Sequence, residues 1–190
     1  MAAGGSALMG GFNFIPTDIA GLTIVEPVLH GDERGYFMET WQVSDFAAAG
    51  IQADFVQDNQ SGSQRGVLRG LHYQRQHPQA KLVRVLAGEV YDVAVDLRPD
   101  SPTCGKHFGL ILSAANRRQL FVPRGFAHGF LVLSDFAELA YRCDAPYHPE
   151  DEAGVAYNDP TLNIPWPLEA LQGQPLVLSE RDRQLPCLGQ

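Results

Sequence analysis

Helix breakers punctuate this chain along most of its length instead of clustering. Its 19 glycines and 13 prolines are scattered between short apolar runs, and a proline inside a helix removes a hydrogen bond and clashes with the preceding turn. Such punctuation predicts short strands joined by turns. The candidate strands are 22–27, 35–41, 54–59, 67–74, 81–86, 89–97, 107–113, 119–123, 128–134 and 138–143. Their spacing of roughly 8–14 residues fits an all-β sandwich or barrel. One short helix is predicted at Ser44–Ala49, with Ser44 as its N-cap and Gly50 in the left-handed position after its last turn. The prolines of 144–190 predict loops and short helical turns wrapped over the sheets.

With 190 residues, 45% of them hydrophobic, the chain can build one domain with a core that needs neither disulfides nor a metal. The 14 basic residues against 22 acidic ones leave a net charge of −8, which disfavours nucleic acid and anionic membranes as partners. A local arginine pocket for an anionic small molecule is compatible with that charge. Cys104, Cys143 and Cys187 are odd in number and widely spaced, predicting reduced thiols in a cytoplasm. The first basic residue is Arg34, so no charged signal-peptide region is expected, and no apolar run approaches the ~18 residues of a membrane span. Residues 1–11 are small and Gly-rich and are expected to be a flexible extension to a single domain at 12–190.

Several apolar segments carry polar groups that a structural strand does not need. In 89–97, Asp92 and Asp96 share one face of a strand that is apolar on both sides. Asp96 is expected to be bonded to a turn at the strand end, whereas mid-strand Asp92 points to a polar cavity. In VLRGLHYQ (67–74), Arg69 and His72 are three apart, which strict alternation puts on opposite faces. Both reach one pocket only if the strand bulges or twists sharply, and Gly70 between them permits it. The bland alternative is an edge strand with Arg69 solvated and His72 bonded in the core. Lys81 is one of two lysines, with Lys106; its compact charge suits a single developing oxyanion, although most lysines are simply solvated. Tyr141 shares a strand face with Leu139 and Cys143. A phenol set across a barrel from an imidazole is what two-sided proton transfer at carbon requires.

PRGFAHGF (123–130) is similar to half of a cupin signature, which places a histidine inside a small β-barrel. The other half, H-x-H with a carboxylate, is missing, because only His72 stands on the matching strand, followed by Tyr73 and Gln74. No metal is therefore expected. His128 is left either as a structural hydrogen-bonding group or as a contact to a polar ligand.

Taken together, GDERGYFMET (31–40), FVQDNQS (55–61), VLRGLHYQ, KLVR (81–84), GEVYDVAVDLR (88–98), SPT (101–103), RQLFVPRGFAHGF (118–130) and SERD (179–182) resemble the dTDP-4-dehydrorhamnose 3,5-epimerase family from about Leu22 to Arg183. The resemblance implies a cupin-type jelly-roll barrel of short antiparallel strands with a few short peripheral helices, and a cofactor-independent epimerase of a dTDP-sugar in the cytoplasm. It implies His72 as the base that removes the C3 and C5 protons, Asp182 as its partner, Lys81 as the cation at the C4 oxygen, and Tyr141 as the acid on the opposite face. Substrate contacts would come from Arg34, Glu39, Gln57, Asp58, Asn59, Arg69, His128, Glu152 and Arg181. Arg34 would act in the neighbouring subunit of a homodimer that exchanges an N-terminal strand. Departures are Tyr73 where many relatives have Phe, Arg181 where Lys is also common, and an individual loop at 144–153. A mono-epimerase, a ketoisomerase, a non-catalytic sugar-nucleotide module and a metal-dependent cupin are the competing readings.

Overall fold

A computed structural model describes residues 7–189. In chain order its elements are β1 (Ala7–Met9), β2 (Phe12–Pro16), β3 (Thr23–Pro27), β4 (His30–Asp32), β5 (Gly35–Phe37), α1 (Val43–Ala48), β6 (Gln57–Gln64), β7 (Leu68–Gln74), β8 (Lys81–Ala87), β9 (Glu89–Asp96), β10 (His107–Ser113), β11 (Gln119–Val122), β12 (Phe126–Val132), β13 (Phe136–Cys143), β14 (Glu152–Gly154) and α2 (Glu180–Arg183). A seven-stranded sheet runs β1-β2-β3-β11-β8-β13-β6, and a five-stranded sheet runs β10-β9-β12-β7-β14. β4 and β5 form a separate exposed hairpin. The strands pair antiparallel throughout these sheets, as in the cupin-type jelly roll that the family resemblance implies.

The barrel interior lies between the two sheets. Val83 and Val85 of β8, Leu120 and Val122 of β11 and Leu139 of β13 meet Val90 and Ala94 of β9 and Phe126, Phe130 and Val132 of β12 there. Period-two alternation sends the other faces outward to separate covers. On the seven-stranded sheet, Phe12, Phe14, Val25, Leu82 and Phe121 pack under α1 through Phe46, which meets Phe12 and Phe14 edge-on with ring centroids 5.1 Å apart in both pairs. Burying Phe46 stabilises this cover by about 1.5–3 kcal/mol. On the five-stranded sheet, Leu71, Val93 and Val95 are covered by Val155, Leu162 and Ile164. The proline-rich C-terminal region therefore wraps the sheet as expected, and it also adds the short strand β14 to its edge.

Four local expectations need correction. Residues 7–11 belong to the sheet through β1 and its turn into β2, while residues 1–6 of the expected flexible extension lie outside the described residues. β2 has no counterpart among the predicted strands. The N-cap of α1 is Gln42, whose side chain accepts from Asp45 N at 2.9 Å; the Ser44 hydroxyl instead braces that amide oxygen at 2.7 Å. Gly50 does take the left-handed conformation, at φ 82°. Finally, the strand sought at 54–59 runs from Gln57 to Gln64, a wholly polar segment at the sheet edge. One of its faces meets water and the other a polar cavity, so no apolar alternation marks it.

Candidate active site

The strand β7 delivers two functional side chains to one face by bulging. Its pairing with β12 matches His72 to His128 and Arg69 to Phe130, three steps on one strand against two on the other. The extra residue sits at Gly70, whose φ is 119°. A Cβ there would lie 2.6 Å from Gly129 Cα and 2.8 Å from the His128 carbonyl oxygen, so the two backbones approach as only glycine allows. Arg69 and His72 accordingly line one cavity of about 450 Å³, together with Lys81, His128, Tyr141, Arg181 and Asp182. The Nε of Arg69 donates to Ser63 Oγ at 3.0 Å.

Asp182 comes from the C-terminal strap. Leu68 N donates to Val177 O at 2.9 Å and Val177 N to Gly66 O at 2.8 Å, tying the strap alongside β7. Ser179 then caps α2 by accepting from Asp182 N at 3.0 Å. This sets Asp182 Oδ1 2.5 Å from His72 Nε2. Burial opposes ionisation of Asp182, but His72, the Ser179 hydroxyl and the Arg181 charge together outweigh it and hold its pKa below the ordinary carboxylate value.

Lys81 and Tyr141 reach the cavity from the facing sheet. Lys81 begins β8 opposite Cys143, and Tyr141 lies two residues earlier on β13, on the same face. The ammonium nitrogen is 5.9 Å from the centroid of the Tyr141 ring. Burial pushes the Lys81 pKa down, against the opposing pull of Cys143, Glu152 and Asp92. Burial also raises the pKa of the Tyr141 phenol, keeping it protonated. The His128 ring lines the cavity, and its Nε2 is 2.9 Å and 3.0 Å from the two oxygens of fully buried Asp92, the structural bond of its first reading. Asp96, by contrast, closes a turn at the strand end with Arg98, Ser101 and Thr103, as expected.

A second cavity, of about 350 Å³, shares His72, Lys81 and Tyr141 with the first and adds Gln57, Asn59, Tyr147 and Glu152. Gln57 accepts from Tyr147 N at 2.9 Å and donates to Asn59 Oδ1 at 2.9 Å. Glu152 Oε2 accepts from Arg181 Nη1 at 2.5 Å and from the Tyr147 hydroxyl. Among the described residues, no three His, Cys, Asp or Glu side chains converge as a metal-ligand set.

Three of the residues expected to contact substrate stand outside these cavities in the single chain. Asp58 alternates with Gln57 and Asn59 along β6, so it faces the opposite side, where it pairs with Arg142 at 3.2 Å and is 72% exposed. The expectation that all of Gln57-Asp58-Asn59 line the pocket is therefore corrected by the pleat. Arg34 sits at the tip of the β4–β5 hairpin, 84% exposed and paired with Asp32. Glu39 is exposed next to Gly11. Tyr147 and Gln79, which the sequence did not single out as contacts, line the second cavity. Gln74 is a further omission. Its side chain is buried, donates to His77 O at 2.6 Å and accepts from His148 N at 2.7 Å, fixing the loop that carries Tyr147. The available signal was a polar residue two positions after His72, on the same strand face.

A cupin-type barrel whose interior holds a histidine–aspartate pair, a half-buried lysine and a phenol around shared space defines a class of acid–base enzymes working on a small polar substrate. The sequence model described as dTDP-4-dehydrorhamnose 3,5-epimerase matches residues 16–190, and the chain belongs to that family. It is 53% identical over 175 residues to the dTDP-4-dehydrorhamnose 3,5-epimerase of Methanothermobacter thermautotrophicus, covering 92% of this chain and 94% of that one. The enzyme of the same name from Escherichia coli is 49% identical over 175 residues, covering 91% and 92%. The crystal structure of the dTDP-6-deoxy-D-glucose-3,5-epimerase of Legionella pneumophila in complex with dTDP-4-keto-L-rhamnose superposes with a TM-score of 0.88 at 53% identity, covering 93% of this chain and 92% of that one.

Proposed function

We propose that this chain epimerises dTDP-4-dehydro-6-deoxy-D-glucose at C3 and C5, giving dTDP-4-dehydro-L-rhamnose, without a cofactor. The observation that supports the reading is the sharing of His72, Lys81 and Tyr141 between two adjoining cavities, a set able to act as base, cation and acid on one ring. A C4 ketone acidifies the hydrogens at C3 and C5 because either carbanion delocalises onto the same oxygen. One ammonium, Lys81, therefore serves both positions. His72, oriented by Asp182, removes the proton from one face, and Tyr141 returns one from the other, so the centre inverts. Positioned acid–base groups contribute about 10²–10⁴-fold each, and a donor at the developing oxyanion about 10²–10³-fold.

Arg69 and Arg181 give the first cavity the positive charge that a diphosphate requires, whereas Gln57 and Asn59 give the second the neutral donors and acceptors that suit a nucleoside. The exposed hairpin carrying Arg34, and Glu39 after it, reach a site in a homodimer that exchanges N-terminal strands. The covered sheet edge of such a dimer accounts for the exposure of Tyr36 and Phe37 in one chain. The absence of a helix long and apolar enough to cross a membrane among the described residues is compatible with cytoplasmic work on a nucleotide sugar.

The test is proton exchange. Incubation with dTDP-4-dehydro-6-deoxy-D-glucose in D₂O should place deuterium at both C3 and C5, and His72→Ala should abolish uptake at each. Tyr141→Phe should still exchange but complete inversion poorly. Uptake at one carbon only would reduce the activity to mono-epimerisation, and no uptake at all would overturn it.

A further inference from the structure

The acid–base reading above, on which this inference rests, leaves the protein out of proton balance after each inversion. A substrate C–H bond breaks, its proton goes to His72, and the electron pair moves onto the C4 oxygen. The enolate then returns to the ketone as carbon takes the Tyr141 hydroxyl proton on the opposite face. The substrate is neutral again, but the protein holds an imidazolium and a phenolate. Neither group can serve a second carbon until His72 loses one proton and Tyr141 gains one.

The surroundings of the imidazole supply an exit. Asp182 occupies Nε2, so Nδ1 is the nitrogen that accepts the proton from carbon. Nδ1 lies 3.8 Å from Glu152 Oε1. The position of this carboxylate is fixed by the backbone, since β14 pairs with β7 so that Glu152 is opposite Gln74 and Gly154 opposite His72. Its other oxygen, Oε2, is held by Arg181 and by the Tyr147 hydroxyl, which leaves Oε1 directed at the ring. The Glu152 side chain is 12% exposed, whereas that of Arg181 is 50% exposed and Tyr147 is 46% exposed. The His72 side chain is itself 27% exposed, and the carboxylate links its Nδ1 side to the solvated Arg181 and Tyr147 at the mouth. A movement of about 1 Å brings Nδ1 and Oε1 within hydrogen-bonding distance.

We propose that Glu152 is the proton exit of His72, a relay acting through the imidazole and not a group that touches the reacting carbons. The Nδ1–H bond breaks, the proton passes to Oε1, and a water molecule at the mouth carries it away. The Tyr141 phenolate takes a proton from water in the shared cavity. One proton leaves to water and one arrives from it, so charge balances with water as the only co-reactant. The consequence is that both carbons can be inverted in one visit of the sugar.

The full chain and its Glu152→Gln variant, at saturating dTDP-4-dehydro-6-deoxy-D-glucose in D₂O, are compared by rapid quench and in steady state. The first deuterium uptake by Glu152→Gln should stay within about 3-fold of the unaltered chain, while its steady-state turnover falls roughly 10²-fold. Product with deuterium at a single carbon should appear in solution. Added formate, at constant pH and ionic strength, should raise the turnover of Glu152→Gln in proportion to its concentration, and Glu152→Asp should retain turnover that does not depend on formate. Unchanged steady-state turnover of Glu152→Gln would overturn the relay. So would an equal loss in first uptake and in turnover that formate does not repair, since that is the signature of a purely structural or binding role. Absence of deuterium from the product of the unaltered chain would instead defeat the epimerase reading itself.

Discussion

The Nε2 of His72 and the Oδ1 of Asp182 lie 2.5 Å apart across 110 residues of sequence, and this contact joins the five-stranded sheet to the C-terminal strap. A base held on one side by a buried carboxylate has a fixed tautomer and a fixed direction of attack. Asp182→Asn should therefore lower kcat by about 10²–10⁴-fold with little change in KM; a kcat within 3-fold of the unaltered chain, about 0.6 kcal/mol, would count against the pair. Because the Asp182 pKa is depressed in the folded chain, its stabilising contribution is present above the unfolded carboxylate value of about 3.9. It is lost as the pH falls through the folded value. The difference in melting temperature between the unaltered chain and Asp182→Asn should consequently close in acid.

Lys81 must be protonated to stabilise an enolate, and burial lowers its pKa. As the pH rises through that lowered value the ammonium is lost, so the rate should decline below the ~10.4 of a solvated lysine. Lys81→Met should cost about 10²–10³-fold in kcat and remove that alkaline limb. A pH–rate profile that stays flat to the solvated value would show that Lys81 carries no such duty.

Gly70→Ala sets a methyl group against the backbone of Gly129 and His128 at a φ of 119°, and neither neighbour is a flexible side chain. A loss of at least about 2 kcal/mol is expected in denaturant unfolding. Activity should fall with it, because the bulge aims both Arg69 and His72. Gly105→Ala, at φ 79° with nothing within 4 Å of the added carbon, is the matched control and should cost about 1 kcal/mol with activity intact. Equal losses in the two variants would mean that the close strand approach is unimportant.

Asp96 accepts from Arg98, Ser101 and Thr103 while fully buried at the end of β9. Burial opposes its ionisation, yet these bonds outweigh burial and depress its pKa. Asp96→Asn should destabilise the chain by about 1.5–3 kcal/mol near neutral pH. That difference is present above the unfolded carboxylate value and disappears as the pH falls through the folded one. The expected kcat is unchanged, since Asp96 lines neither catalytic cavity; a large kcat loss would tie this turn to the site.

The β architecture was legible because turn residues and period-two apolar alternation are local properties, and β10 was predicted at 107–113 with its observed limits. β6 was not, because a strand between water and a polar cavity has no apolar face to display. An irregularity at Gly70, bulge or sharp twist, could be argued from Arg69, Gly70 and His72 alone, since two polar groups three apart require one if they share a pocket; the pairing decided for the bulge. Asp182 and Glu152 had no such local signature and entered through a family resemblance.

What the sequence determined by itself was therefore the strand-and-turn grammar, the family, and the residue types available for chemistry. Only the tertiary structure decided that Asp182 and Glu152 stand at opposite nitrogens of one imidazole and that Asp58 turns away from its neighbours' cavity. The reason is geometric: alternation and turn chemistry act over a few residues, whereas a proton moves over a few ångströms between groups that the packing of sheet, strap and edge strand brings together from 110 residues apart.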